Sequence, residues 1–136
     1  MTPAIYLIDS SVLFRILSSE LRSAWADHLA AGVIAVCPLV ELEFLHSARS
    51  LADRLEKRQL LRNLFGWVAM HERAYERAAE VQQLLTEAGA HRLAGPVDLL
   101  IAATAERERL TVLCDDRDYQ TVAAVTGQPV SFVTDI

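Results

Sequence analysis

The first apolar run of the chain and the acid that follows it place the strongest constraint on the fold. Residues 4 to 8 read Ala-Ile-Tyr-Leu-Ile, and Asp9 follows them directly. An uninterrupted run of this length, bounded by polar residues, is typical of a buried strand. Because ligand sites in open α/β sheets are built at the carboxyl ends of strands, this position favours Asp9 as a site residue. Capping of a following helix by Asp9 explains the same residues equally well.

Short apolar runs alternate with helical patterns along the rest of the chain. Further strands are predicted at 33–37, 67–70, 110–113 and 130–133, and helices at 11–17, 20–31, 38–47, 50–66, 72–88, 96–105 and 117–125. This alternation predicts a three-layer α/β/α sandwich with a central, mainly parallel sheet. The 136 residues contain no repeat or linker, so we expect a single domain spanning residues 1–136.

Composition excludes some classes of function. The net charge of −5 argues against general coating of nucleic acid, which needs a broad basic surface, but it allows a nuclease whose acids cluster at a metal. Cys37 and Cys114 are isolated, so we expect reduced thiols in a cytoplasmic protein. The chain lacks an apolar stretch approaching 18 residues and a basic leader, so neither a membrane span nor a signal peptide is expected.

Acids recur at positions equivalent to that of Asp9. Glu41 and Glu43 lie in the helix after the second strand, and they cannot share a face because they are two residues apart. Glu43 has the better chance of facing inward, although both can be surface charges. Asp98 falls in the first turn of a buried helix, where it is either a cap or a ligand. Three acids, among them Asp116, follow the fourth strand.

The order of these motifs resembles that of the PIN-domain nucleases, and most closely the VapC-type toxins of bacterial toxin–antitoxin pairs. The resemblance rests on stretches that span essentially the whole chain. They are Leu7-Ile8-Asp9-Ser10-Ser11, Val40-Glu41-Leu42-Glu43-Phe44 with Ser47-Ala48-Arg49-Ser50, Pro96-Val97-Asp98-Leu99-Leu100-Ile101-Ala102-Ala103, and Asp116-Arg117-Asp118-Tyr119. Cys114 departs from the family pattern, which frequently has Thr or Ser at this position.

The resemblance implies a role for each of these acids. It assigns the catalytic quartet to Asp9, Glu43, Asp98 and Asp116. It assigns metal ligation to Asp9, Asp98 and Asp116, with Asp118 completing the site. Four converging carboxylates need a cation or must take up protons, and an all-oxygen site suits Mg²⁺ or Mn²⁺. We therefore expect metal-dependent hydrolysis of phosphodiester bonds by an activated water.

The resemblance also implies the substrate and the partners. RNA is the expected substrate, with Ser10 near the metal, and a homodimer and a small VapB-type antitoxin are the expected assemblies. Arg15, Arg49 and Arg117 lie close in sequence to the quartet and are candidates for phosphate contacts. Each of them can equally be an ordinary surface arginine.

Two other classes of function compete with a nuclease. A phosphoacceptor receiver domain also gathers acids at strand ends, but it needs a paired acid after the first strand and a late lysine. Here Ser10 follows Asp9, and Lys57 is the only lysine. A PIN fold that only binds RNA or protein is the second alternative, although a pure binder gains nothing from four repelling carboxylates.

Overall fold

One parallel sheet organises residues 3–134, the part of the chain that the computed structural model describes. Its five strands run in the order β3-β2-β1-β4-β5, and every neighbouring pair is parallel. The strands are β1 (Tyr6–Ile8), β2 (Ile34–Val36), β3 (Gly66–Trp67), β4 (Thr111–Cys114) and β5 (Val130–Phe132). The predicted parallel sheet is therefore confirmed, and it has five strands as expected, although the third comprises Gly66–Trp67 and not the predicted 67–70.

Helices connect and flank the strands, as parallel strands require. They are α1 (Ser10–Ile16), α2 (Ser19–Ala24), α3 (Ala26–Ala31), α4 (Pro38–His46), α5 (Leu51–Leu64), α6 (Arg73–Glu87), α7 (Pro96–Glu108) and α8 (Asp118–Thr126). Helix α4 packs against α1 and α5, whereas α6, α7 and α8 pack against one another. This arrangement confirms the α/β/α architecture expected from the sequence.

Strand β1 occupies the centre of the sheet. Leu7 pairs with Ala35 of β2 on one side and with Val112 of β4 on the other. Leu7 and Ile8 are fully buried, and α7 packs across both β1 and β4. Because all three strands are parallel, the residues that follow β1, β2 and β4 meet at one edge of the sheet.

The helix predicted over 20–31 is interrupted at Trp25, so the prediction of one continuous helix was wrong. Trp25 has φ −101° and ψ 9° and separates α2 from α3. Its buried indole packs edge-to-face on Tyr6 at 5.6 Å and donates a hydrogen bond to the carbonyl of Val133 at 2.9 Å. Burial of this large side chain and its polar group outweighs the helical pattern of the segment.

Helix α5 also ends earlier than expected. Gly66 was predicted to stop it, but the helix ends at Leu64 and Gly66 already belongs to β3. The other end follows capping rules, because the Ser50 hydroxyl accepts a hydrogen bond from the backbone N–H of Asp53 at 3.1 Å. Within residues 3–134, no helix combines the length and apolar character needed to cross a membrane.

Candidate active site

Asp9 is held as a buried carboxylate at the carboxyl end of β1. It occupies the N-cap position of α1, yet its side chain makes no capping hydrogen bond within the described residues. Instead, Oδ2 accepts a hydrogen bond from the Ser11 hydroxyl at 2.7 Å, and Oδ1 accepts one from the Tyr119 hydroxyl at 3.0 Å. The side chain is only 6% exposed. A carboxylate fixed in this way by side-chain donors is not a simple helix cap.

Asp98 is both a helix cap and a member of the acidic group. It lies in the first turn of α7, and its Oδ2 accepts a hydrogen bond from the backbone N–H of Gly95 at 3.3 Å. Partial burial raises the pKa of Asp98, and the negative charges of Asp9 and Asp116 raise it further. Asp98 can therefore be both a helix cap and a ligand, since the capping side chain also lies close to the acids after β1 and β4.

The acids after β4 complete the cluster. Carboxylate oxygens of Asp98, Asp116 and Asp118 all lie within 4.8 Å of one another. The backbone N–H of Asp118 donates to Oδ1 of Asp116 at 2.9 Å, which fixes the turn between β4 and α8. Burial and the charge of Asp116 raise the pKa of Asp118. These acids thus form a compact set of oxygen donors at the edge of the sheet.

Tyr119 is the residue of this site that sequence reasoning missed. Its side chain is fully buried, and its hydroxyl reaches Asp9 across 110 positions of the chain. The hydroxyl also interacts with the carboxylate of Asp98, which it favours in the charged form. The available signal was its position directly after Asp118 in the last acidic motif. A tyrosine there reads equally well as an ordinary core residue.

Glu41 and Glu43 differ in their partners. The Glu41 carboxylate forms an ion pair with Arg62 at 2.8 Å, and the Arg62 guanidinium lies 4.7 Å above the ring of Trp67. Glu41 therefore points towards α5 and β3. Among residues 3–134, the buried Oε1 atoms of both glutamates lack a partner in full hydrogen-bond geometry, but Oε1 of Glu41 has the Arg62 guanidinium beside it whereas Oε1 of Glu43 has no ion-pair partner. A buried carboxylate oxygen without a partner favours Glu43 as the functional acid.

The predicted substrate-binding residues have more varied surroundings. Ser10 is half-buried at the start of α1, but the hydroxyl that contacts Asp9 belongs to Ser11. Arg15 forms an ion pair with Asp115, which sequence reasoning did not anticipate.

Two more of the predicted arginines are exposed. The side chain of Arg49 lines a cavity of about 560 Å³ together with Phe14, Phe44 and Lys57. Arg117 is exposed directly before α8, between Asp116 and Asp118. Arg117 is therefore a sequence neighbour of two of the acids, and its side chain is accessible to a ligand. The phosphate contacts assigned to Arg15, Arg49 and Arg117 remain predictions.

The donor set fits a hard divalent cation. Carboxylate oxygens cluster within 4.8 Å, and the pKa of Asp98 is raised mainly by burial and further by the charges of Asp9 and Asp116. The nearby cysteines are free and buried, as expected from the sequence. Burial raises the pKa of the Cys114 thiol to about 12 and raises that of Cys37, so both keep their protons in the metal-free protein. Oxygen donors without thiolates match Mg²⁺ or Mn²⁺ better than zinc.

Comparison of the sequence with known proteins identifies relatives over nearly the whole chain. The PIN domain family matches residues 6–125. Ribonuclease VapC21 of Mycobacterium tuberculosis is 35% identical over 128 residues, which cover 94% of this chain and 93% of that protein. Ribonuclease VapC2 of the same species is 37% identical over 135 residues, which cover 98% and 96% of the two chains.

Comparison of the structure with solved structures identifies the same fold. The VapBC2 structure from Rickettsia felis, bound to a promoter DNA fragment, aligns with a TM-score of 0.76 at 16% identity, covering 94% of this chain and 98% of that one. DNA-bound VapBC from Salmonella typhimurium aligns with a TM-score of 0.78 at 15% identity, covering 96% and 98%. With a parallel sheet, acids gathered at its edge and relatives above 30% identity, this chain belongs to the PIN-domain family and, within it, to the VapC-type ribonucleases.

Proposed function

We propose that this chain is a metal-dependent endoribonuclease toxin that hydrolyses phosphodiester bonds in RNA and is neutralised by a cognate antitoxin. The observation that carries the proposal is the convergence of Asp98, Asp116 and Asp118 within 4.8 Å, next to the buried Asp9. Burial raises the pKa of Asp98, the charges of Asp9 and Asp116 raise it further, and a bound divalent cation would favour the charged carboxylate again. The family to which the chain belongs supports the same function.

The acids have two different roles in the proposed reaction, metal binding and proton transfer. Asp9, Asp98, Asp116 and Asp118 would hold Mg²⁺ or Mn²⁺. When bound, the cation supplies a water of lowered pKa and polarises the phosphate that is cut. Oε1 of Glu43 has no hydrogen-bond partner among the described residues, so Glu43 can orient the attacking water and accept its proton. With a water as nucleophile, no covalent intermediate with the protein is needed.

The substrate is bound through its phosphates. Single-stranded or looped RNA can bring its backbone into a site at a sheet edge more easily than a duplex can. Arg15, Arg49 and Arg117 are the proposed phosphate contacts, and Ser10 is the proposed hydroxyl near the metal. Arg15 would exchange its Asp115 partner for a phosphate oxygen, which suits the planar guanidinium.

The proposed assembly is a homodimer whose site is covered by a VapB-type antitoxin. Structural neighbours of this chain are named as VapBC complexes, and exposed apolar side chains on α1, α4 and α5 could accept such a partner. These side chains include Phe14, Leu42, Leu51 and Leu55. Two free, buried cysteines are consistent with work in the reducing cytoplasm, and residues 1–136 are proposed to act as a single domain.

Removal of the metal is expected to stop RNA cleavage completely and reversibly. Purified protein free of antitoxin is mixed with a pool of RNAs, and the products are sequenced with Mn²⁺, with Mg²⁺ and with EDTA. We expect cleavage with either ion, none with EDTA, and recovery when Mn²⁺ is added in excess. The physical reason is that the acids cannot activate water at neutral pH without a cation to bind it.

The alternative function, a PIN fold that only binds RNA or protein, predicts a different result. Folded protein would then bind RNA in a filter or anisotropy assay and leave every RNA in the pool intact with Mn²⁺. Cleavage that persists in EDTA would contradict the metal-dependent mechanism. A retained affinity for RNA without cleavage would favour the binding function.

Glu43→Gln is expected to slow cleavage by roughly 100- to 10,000-fold, the contribution typical of a general base. The change keeps the shape of the side chain and removes its charge, so the loss should appear in the rate at saturating RNA and Mn²⁺. Single-turnover cleavage of one substrate identified in the pool measures it.

Glu41→Gln is the matched control, since the same chemical change is made two residues away. The ion pair of Glu41 with the partly exposed Arg62 predicts a stability loss below about 1 kcal/mol and unchanged cleavage. If Glu41→Gln abolished cleavage and Glu43→Gln did not, the assignment of the two acids would be reversed.

A further inference from the structure

A tyrosine hydroxyl lies between two of the acids that come from different elements. Tyr119, in the first turn of α8, donates its hydrogen bond to Oδ1 of Asp9 at 3.0 Å. The carboxylate of Asp98, at the start of α7, lies close enough to this hydroxyl that each group shifts the pKa of the other. The side chain is fully buried, so water does not compete for this hydrogen bond. Tyr119 thus links the end of β1 to the start of α8 through its side chain.

The surroundings of Tyr119 favour its hydroxyl as a hydrogen-bond donor. Burial is the largest cause of the raised pKa of Tyr119, and the charges of Asp9 and Asp98 add to it. In the contact with Asp9, the Tyr119 hydroxyl is the donor and the carboxylate oxygen is the acceptor. A buried tyrosine hydroxyl needs a partner, and a carboxylate accepts a stronger hydrogen bond than a neutral group does.

The hydrogen bonds to Asp9 leave it able to bind a cation. Ser11 donates to Oδ2 and Tyr119 to Oδ1, so each carboxylate oxygen has one protein donor. A carboxylate oxygen carries two lone pairs, and one on each oxygen remains free. Two donors on different oxygens fix the plane of the carboxylate and hence the direction of the free lone pairs.

Tyr119 also connects Asp9 to the acids after β4. It follows Asp118 directly, and its backbone N–H donates to the carbonyl of Asp116 at 3.3 Å. Because its ring is buried and its hydroxyl is bound to Asp9, the start of α8 is held against the end of β1. The backbone already joins the two segments, since the N–H of Asp9 donates to the carbonyl of Leu113 at 3.0 Å, and Tyr119 adds the side-chain link that joins Asp9 to α8.

We propose that Tyr119 is a positioning residue, whose hydrogen bond to Asp9 assembles the carboxylates from β1, α7 and α8 into one cation site. The role rests on the proposed function, since it concerns the same metal site. Tyr119 touches neither the phosphate nor the attacking water in this scheme. It acts on the reaction through the affinity of the protein for Mg²⁺ or Mn²⁺.

The test is Tyr119→Phe, which removes the hydroxyl and keeps the ring. Binding of Mn²⁺ is measured by electron paramagnetic resonance of the free ion, with no RNA present. We expect affinity for Mn²⁺ to fall by roughly 10- to 100-fold, as for other groups that orient metal ligands. In RNA cleavage, the Mn²⁺ concentration for half-maximal rate should rise by the same factor, while the rate at saturating Mn²⁺ stays close to that of the parent.

Thr104→Val is the matched control. Thr104 is buried on α7, the helix of Asp98, and its hydroxyl donates to the carbonyl of Leu100 at 2.8 Å. The change is nearly isosteric and also removes one buried hydroxyl. It should leave the affinity for Mn²⁺ unchanged, even if it lowers the melting temperature as much as Tyr119→Phe does.

The outcomes separate the role of Tyr119 from the proposed function. If the parent binds Mn²⁺ and Tyr119→Phe binds it equally well, Tyr119 is only a core residue and the positioning role is overturned. Equal weakening by Tyr119→Phe and Thr104→Val indicates loss of packing and overturns it as well. If the folded parent binds no Mn²⁺, the proposed metal site itself fails, and the role fails with it.

A second measurement leaves Tyr119 in place and covers the case in which Tyr119→Phe does not fold. Tyr6→Phe with Tyr75→Phe leaves Tyr119 as the one tyrosine of the three in the chain. This protein, labelled with 3-fluorotyrosine, is titrated with Mg²⁺ and followed by ¹⁹F NMR. We expect a saturable shift of the Tyr119 signal, which Asp98→Asn abolishes. A signal that does not move while Mg²⁺ binds, as followed by calorimetry, overturns the role.

Discussion

Replacement of Asp9 or Asp98 by asparagine is expected to slow RNA cleavage by at least about 100-fold, because each change removes the charge of a proposed metal ligand. Metal ions contribute several kcal/mol to the stabilisation of charge in such reactions, and 1.4 kcal/mol corresponds to a factor of about ten in rate. Asp9 is buried with donors on both carboxylate oxygens, so asparagine would also turn its amide group towards one of them. Single-turnover cleavage with Mn²⁺ measures both variants.

The loss of activity must be separated from unfolding, and Asp98 allows this. Its pKa is raised in the folded protein, mainly by burial and then by Asp9. Its contribution to stability is therefore fully present below the ordinary pKa and is lost as the pH rises through the raised value. At neutral pH the ionised Asp98 destabilises the metal-free protein, so Asp98→Asn should unfold at no lower urea concentration than the parent.

Asp27→Asn provides the matched control for both replacements. Asp27 is an exposed acid in the first turn of α3, and the same chemical change there should leave cleavage and Mn²⁺ binding as they are in the parent. If Asp9→Asn and Asp98→Asn cleaved RNA as fast as Asp27→Asn did, the activity would come from a contaminant or from a site elsewhere on the protein.

Leu7→Ala is expected to lower the free energy of unfolding by about 2–5 kcal/mol, the usual cost of truncating a fully buried leucine. Leu7 is 0% exposed and lies in the central strand, paired with Ala35 on one side and Val112 on the other. The change removes apolar contacts and leaves a cavity that two hydrogen-bonded neighbouring strands cannot close. Because the total stability of a domain is about 5–15 kcal/mol, this is a large fraction of it.

Urea denaturation followed by circular dichroism measures this effect. Leu51→Ala is the control, because Leu51 is 71% exposed at the start of α5 and its truncation should change stability by less than about 0.5 kcal/mol. A loss for Leu7→Ala no larger than that for Leu51→Ala would mean that β1 is not the packed centre of the sheet. If the folded Leu7→Ala variant binds Mn²⁺ as tightly as the parent despite its lower free energy of unfolding, the cavity at Leu7 does not disturb the metal site.

Much of the fold could be predicted because its determinants are local. Short apolar runs marked all five strands, and Pro38 and Pro96 marked the starts of α4 and α7, since proline suits the first helical turn. Errors arose where a distant contact outweighed the local pattern. Trp25 interrupts a helical segment because its indole is buried against Tyr6 and bonded to Val133.

The acids of the candidate site could be predicted for a related reason. In a parallel sheet, residues that directly follow neighbouring strands meet at one edge, so Asp9 and Asp116 follow from strand positions alone. Asp98 was identified from its place at the tip of a buried helix. Their roles as ligands, like that of Glu43, remain predictions that the experiments above test.

The sequence by itself determined the order of strands and helices, the family and the acids, because each depends on residues that are adjacent or regularly spaced along the chain. The tertiary structure decided which side chains meet across the chain. Tyr119 reaches Asp9, Arg15 pairs with Asp115, and Glu41 pairs with Arg62. Oε1 of Glu43 meets no partner in the part of the chain that the structure describes. Such pairings depend on side-chain directions after α1, α5 and α8 have packed, and no local pattern specifies those directions.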